Sequence, residues 1–157
     1  MGAGNQQERL GNWVAGFVDG EGCFHVAVNQ QPGMTLGWQV LPEFRVVQHQ
    51  RDETILHHIR GVFGCGNVVV NNGDRKEFRV RGVKNLRHVI NFFQQYPLRT
   101  IKQKSFATFA KIITMMEKRE HLTKKGLTDI ARLSSTMNNQ VRPRILRDYT
   151  RNTKVKI

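Results

Sequence analysis

The alternation of apolar and polar residues changes period several times along the chain, and each change marks an element. Over residues 6–19, Leu10, Trp13, Val14 and Phe17 recur at helical spacing, predicting a helix that Gly20 stops in the left-handed conformation after Asp19. From residue 23 to 31 the period drops to two. Phe24, Val26 and Val28 alternate with His25, Ala27 and Asn29, as a half-buried strand requires. After the turn formed by Gln31-Pro-Gly-Met-Thr35, a second strand over 38–48 sets Trp38, Val40, Phe44 and Val46 against Gln39, Glu43 and Arg45. Pro42 within it predicts an edge position or a bulge.

A helix over 53–63 follows, with Ile55, Leu56, Ile59, Val62 and Phe63 inward and Asp52 as its N-cap. Gly64-Cys-Gly66 ends it. Strands over 67–71 and 77–81 then flank Asn72-Gly73, a tight-turn signal, with Phe78 and Val80 inward on the second. Leu86, Val89, Ile90 and Phe93 mark a helix stopped by Pro97. Phe106, Phe109, Ile113 and Met116 mark another, and Leu127, Ile130 and Ser134 a shorter last one. From Val141 the chain is basic and aperiodic, which predicts a tail.

The order is α-ββ-α-ββ-α-α in one domain of 157 residues. Four strands with one apolar face each make an antiparallel sheet covered by helices on one side, an α+β fold. The opposite face is left polar and basic.

Composition sharpens the meaning of that face. Lys and Arg number 25 against 12 Asp and Glu, a net charge of +13. Such an excess selects a polyanionic partner. A membrane surface would call for basic and bulky apolar residues segregated on one helix, whereas here the basic residues are scattered over strands, loops and the C-terminal third. No apolar run approaches the roughly 20 residues of a membrane span. The N-terminus lacks the basic and apolar regions of a secretion signal, so an intracellular protein is expected. Cys23 and Cys65 have no metal-ligand spacing, and adjacent His57 and His58 cannot share a helix face, so no zinc site is read. Gly64-Cys-Gly66 is too short for a phosphate loop. The open face carries no aromatic residues, which disfavours single-strand stacking.

The segment Val14-Ala-Gly-Phe-Val-Asp-Gly-Glu-Gly22 resembles the signature of the LAGLIDADG homing endonucleases, with Val14, Phe17, Val18, Gly20 and Glu21 as conservative replacements. It ends the first helix and leads into the first strand, as the motif does in that family, and the helix–strand order resembles the family fold. The resemblance implies a site-specific, divalent-metal-dependent DNA endonuclease, encoded by a mobile intron, that cuts both strands across a minor groove and leaves short 3′ overhangs. It implies a location with the host genome, in a bacterial cytoplasm or in a chloroplast or mitochondrion. An RNA-binding maturase or a non-catalytic DNA-binding protein of the same fold are the alternatives.

Only one copy of the motif is visible, and single-motif members of the family act as homodimers on pseudo-palindromic duplexes. Small residues Ala15 and Gly16 let a second helix approach closely, and with Trp13 and Asp19 they are the expected dimer interface. Asp19 is also expected to bond nearby backbone donors. Two Glu21 carboxylates would meet at two helix C-termini, where a hard cation, Mg²⁺ or alternatively Mn²⁺, relieves the repulsion. The family places a Gln at the end of its second strand and a Lys before a later helix; Gln48 and Lys102 match, with Lys104 as the fallback for the latter. Glu21, Gln48 and Lys102 are thus the expected catalytic set. Base reading falls to the outward strand positions His25, Asn29, Gln31, Gln39, Glu43, Arg45, Asn67, Asn71, Glu77, Arg79 and Arg81, a set of side chains suited to the major groove. Arg51 and the Lys and Arg residues of loops and of the 118–156 region are expected on phosphates.

Overall fold

A computed structural model describes residues 2–138 and 144–147. The first helix, α1, runs Ala3–Glu21 and passes straight through Gly20. Gly20 does not take up the expected left-handed stop: the helix ends one residue later, at Glu21, where Gly22 turns extended and its N–H bonds to the Val18 carbonyl. Strands β1 (Gly22–Gln30) and β2 (Trp38–His49) form an antiparallel pair in which Gly22 lies opposite Val46 and Gln30 opposite Trp38. A 3-10 turn at Gln50–Asp52 leads into α2 (Glu53–Phe63). The hairpin β3 (Asn67–Asn72) and β4 (Arg75–Arg81) turns at Gly73, whose φ of 57° suits glycine. Then come α3 (Val83–Gln95), α4 (Lys102–Glu117) and α5 (Lys124–Ser134).

The sheet order is β1-β2-β4-β3, so the second hairpin joins through its later strand. Pro42 is paired on the β1 side, opposite Val26, but the β2–β4 ladder ends at Glu43 opposite Arg81. At Pro42 the inner strand β2 is therefore locally an edge, where a missing N–H is tolerated.

All helices lie on one face of the sheet, over Phe24, Val26, Val40, Phe44, Val46, Phe78 and Val80. Phe24 is the hub of this core. Its ring lies 5.1 to 5.7 Å from those of Phe44, Phe93, Phe106 and Phe109, which ties β1 and β2 to α3 and α4. Phe24→Ala removes contacts on four sides at once; we expect a loss of about 3–5 kcal/mol, readable in urea unfolding.

Beyond α5, Asn138 donates its side-chain amide to the Phe24 carbonyl at 2.7 Å on the outer edge of β1. The basic tail expected from Val141 lies mostly outside the described residues. Of it only residues 144–147 are described, and there Ile145 and Leu146 are buried in the core. No described helix is long and apolar enough to cross a membrane.

Candidate active site and nucleic-acid face

The C-terminal end of α1 meets the N-terminal end of α4, and the hydrogen bonds between them are reciprocal. The Asp19 carboxylate accepts from the Arg99 N–H (2.9 Å), the Thr100 N–H (3.1 Å) and the Thr100 hydroxyl (2.7 Å). In return the Lys102 ammonium donates to the carbonyls of Val18 (2.8 Å) and Asp19 (3.0 Å). α1 has no basic residue in its own last turn, so this borrowed cation complements its dipole. The latch explains why Lys102 rather than exposed Lys104 reaches the end of the motif.

Burial works against ionisation of Asp19. The donors of Arg99 and Thr100 and the charge of Lys102 outweigh it and hold the carboxyl below its ordinary value. Desolvation, in turn, lowers the Lys102 ammonium from its usual value, against the opposing influence of Cys23, Asp19 and Glu21. Because the Asp19 pKa is lowered on folding, its stabilisation is present above the ordinary Asp range and is lost as pH falls through the folded value. Asp19→Asn is expected to cost about 1–2 kcal/mol at neutral pH and to flatten the acid limb of a urea-unfolding series.

Glu21 is the last residue of α1 and is exposed, free of the latch that occupies Asp19. Gln48 reaches the same corner through the sheet. With Val46 opposite Gly22, two further residues bring Gln48 alongside the helix–strand junction. Lys102 is thus brought to the end of α1 beside Glu21, and the register sets Gln48 two residues past the Gly22–Val46 pair.

The outward-facing residues of α1 form a stripe. Leu10 is 47% exposed and Trp13 46%; Trp13 stacks on Phe17 at 5.4 Å, and Gly16 and Gly20 open onto free space. Two of the expected interface residues point elsewhere. Ala15 is buried in the chain's own core, and the Asp19 carboxylate is spent on residues 99 and 100. The tight internal approach of α1 is at Gly11, where a Cβ would lie 2.4 Å from the Tyr96 ring. Leu10 and Gly20 belong to the exposed stripe, with half-buried Phe17 at its margin, although the sequence alone did not place them there. Their i, i+3, i+4 spacing with Trp13 and Gly16 was the available signal.

On the open sheet face the register sets charged residues in rows. His25, Glu43 and Arg81 lie side by side, as do Cys23, Arg45, Arg79 and Asn67, and then Val47, Glu77 and Val69. Asn29 and Gln39 face each other exposed, and Gln31 lies just beyond β1 in the turn. Burial of the His25 imidazole and the nearby Arg45 charge lower its pKa, Glu43 opposing.

Glu43 and Glu77 are the correction here. Both point to this face in register, yet they are only 6% and 3% exposed, each deeper than the arginine it pairs with. The face is also less polar than expected, because Cys23, Ala27, Leu41, Val47 and Val69 share it. Arg51 stands exposed in the 3-10 turn, 3.8 Å from Asp52.

Residues 14–113 match the family model described as LAGLIDADG endonuclease. The chain belongs to the LAGLIDADG endonuclease family. It is 47% identical to the homing endonuclease I-TnaI, whose crystal structure superposes with a TM-score of 0.84 over 90% of this chain and 96% of that one. It is 35% identical to the LAGLIDADG homing endonuclease I-LtrWI, solved bound to target DNA, with a TM-score of 0.79 over 82% of this chain and 44% of that one. Among curated sequences it is 32% identical to an uncharacterised 50.9 kDa protein in ND4 intron 1 of Podospora anserina, over 71% of this chain. The chain spans about a quarter of the length of that protein and of two other curated relatives.

Proposed function

We propose that this LAGLIDADG chain is a site-specific endonuclease for double-stranded DNA that acts as a homodimer joined across α1. The observation that carries the reading is the latch that brings Lys102 to the end of α1 beside exposed Glu21, at the margin of a basic sheet face. A twisted antiparallel sheet fits the major groove, and the exposed Arg, Asn and Gln residues have the donors and acceptors to read base edges there. I-LtrWI, which binds target DNA, is about twice the length that this chain matches, so two copies here would supply what one chain supplies there. The exposed stripe of Leu10, Trp13, Gly16 and Gly20 is the surface for that pairing.

The donor set fits a divalent cation only in the dimer. Among the described residues no three His, Cys, Asp or Glu side chains group as metal ligands, and Asp19 is committed to its latch. One exposed Glu21 per chain, facing its copy and the scissile phosphates, makes the hard-oxygen environment that Mg²⁺ or Mn²⁺ takes. Bound there, the cation supplies charge neutralisation at the phosphate and a more acidic water. Lys102 keeps one N–H beyond its two carbonyl partners, enough to donate to a phosphate oxygen as charge builds up. The Gln48 amide orients the attacking water.

The test is digestion, with Mg²⁺, of a plasmid library with randomised inserts and of an intron-free allele of the host gene. The expected result is linear plasmid cut at one family of pseudo-palindromic sites, with two chains per duplex in sedimentation. Specific duplex binding without cutting, or binding confined to intron RNA, would overturn it.

A further inference from the structure

Two carboxylates sink into the middle of a face otherwise fitted to a polyanion, and a contact surface for phosphates or bases gives no reason for that. Each is engaged by less buried neighbours. Arg81 Nη2 donates to Glu43 Oε1 at 3.1 Å, and the two residues lie opposite one another on β2 and β4. The Asn71 amide donates to Glu77 Oε2 at 2.6 Å, and Arg79 Nε lies 3.8 Å from the other oxygen. The arrangement is also incomplete. Glu43 Oε2, Glu77 Oε1 and Arg45 Nε are enclosed without a hydrogen-bond partner among the described residues. Buried charges that are only partly satisfied are costly, and hydrophobic residues would serve stability as well or better. Such groups bring direction: a guanidinium held by one edge presents its remaining donors along a set line.

We propose that Glu43 and Glu77 are specificity-determining positioning residues, which aim Arg81, Arg79 and Asn71 at base edges and cancel part of the face's positive charge. The proposal rests on the reading of this face as the DNA-binding surface. Free arginines on a sheet would grip any phosphate. Arginines tethered by buried carboxylates give up part of that non-specific attraction and keep the donors that discriminate bases.

The test compares wild type, Glu43→Gln and Glu77→Gln on two probes: a pool of duplexes with a randomised 24-base-pair insert, sequenced after selection, and one arbitrary duplex titrated over a salt series. The isosteric amides keep the shape and remove the charge. Each variant is expected to bind the arbitrary duplex more tightly, roughly 3- to 10-fold at low salt, with a salt slope steeper by up to about 1. Each is also expected to lose preference at a few adjacent base pairs of the selected sequence. Unchanged selection and unchanged salt slope would overturn the positioning role while leaving the DNA reading intact. Failure of wild type to select any sequence would overturn the DNA reading itself. Should an amide variant melt, Glu43→Asp keeps the charge but draws the carboxylate back from Arg81, and must lose preference at a few adjacent base pairs with the salt slope unchanged. Full retention of preference in that variant overturns the proposal.

Discussion

Glu21→Gln is expected to lower the rate of DNA cleavage by at least about a thousandfold while leaving duplex affinity within a few-fold of wild type. The substitution removes one negative charge per chain at an exposed position at the end of α1. Folding therefore has little to lose. In the proposed site cleavage has much to lose, because the neighbouring carboxylate of the motif, Asp19, is occupied by Arg99 and Thr100. Single-turnover cleavage and equilibrium binding, measured on one selected site, separate the two effects. Cutting at the wild-type rate would remove Glu21 from the chemistry, and a parallel collapse of binding would make it a contact residue instead.

Lys102→Met carries the second large effect, and it acts on two levels. The methionine keeps most of the apolar stem but leaves the Val18 and Asp19 carbonyls without their cation. A loss of about 1–3 kcal/mol in stability follows from the lost hydrogen bonds at the helix end. Catalysis is expected to fall by about a hundredfold or more beyond that, because in the proposed complex the ammonium also faces the phosphate. The discriminating comparison is with Asp19→Asn, which weakens the same latch from the other side and keeps the ammonium. If the two variants lose activity equally at matched stability, Lys102 serves only to hold the loop.

The element order was legible because each strand and helix carries its own period, and the structure keeps all of them in place. Its failures are specific. Gly20 reads as a stop, yet an exposed glycine in a helix whose end is capped by Gly22 and by a lysine 84 residues beyond Val18 does not need to break it. Likewise Ile145 and Leu146, an apolar pair in a basic stretch, gave no periodicity from which burial could be inferred.

Glu21 shows where the boundary lies. Local sequence determined that an acidic residue ends a helix of small and apolar residues, because helix spacing and chain order are properties of neighbours. It determined also that a strongly basic chain builds a one-sided sheet, because period two assigns each strand its faces. Only the tertiary structure decided which lysine stands at Glu21, since Lys102 comes there through bonds that span the whole fold. Nor could alternation tell that Glu43 and Glu77 lie deeper than the arginines they pair with. Period two gives the side of a sheet, whereas depth on that side depends on the size and charge of the residues that cross-strand register places next to it.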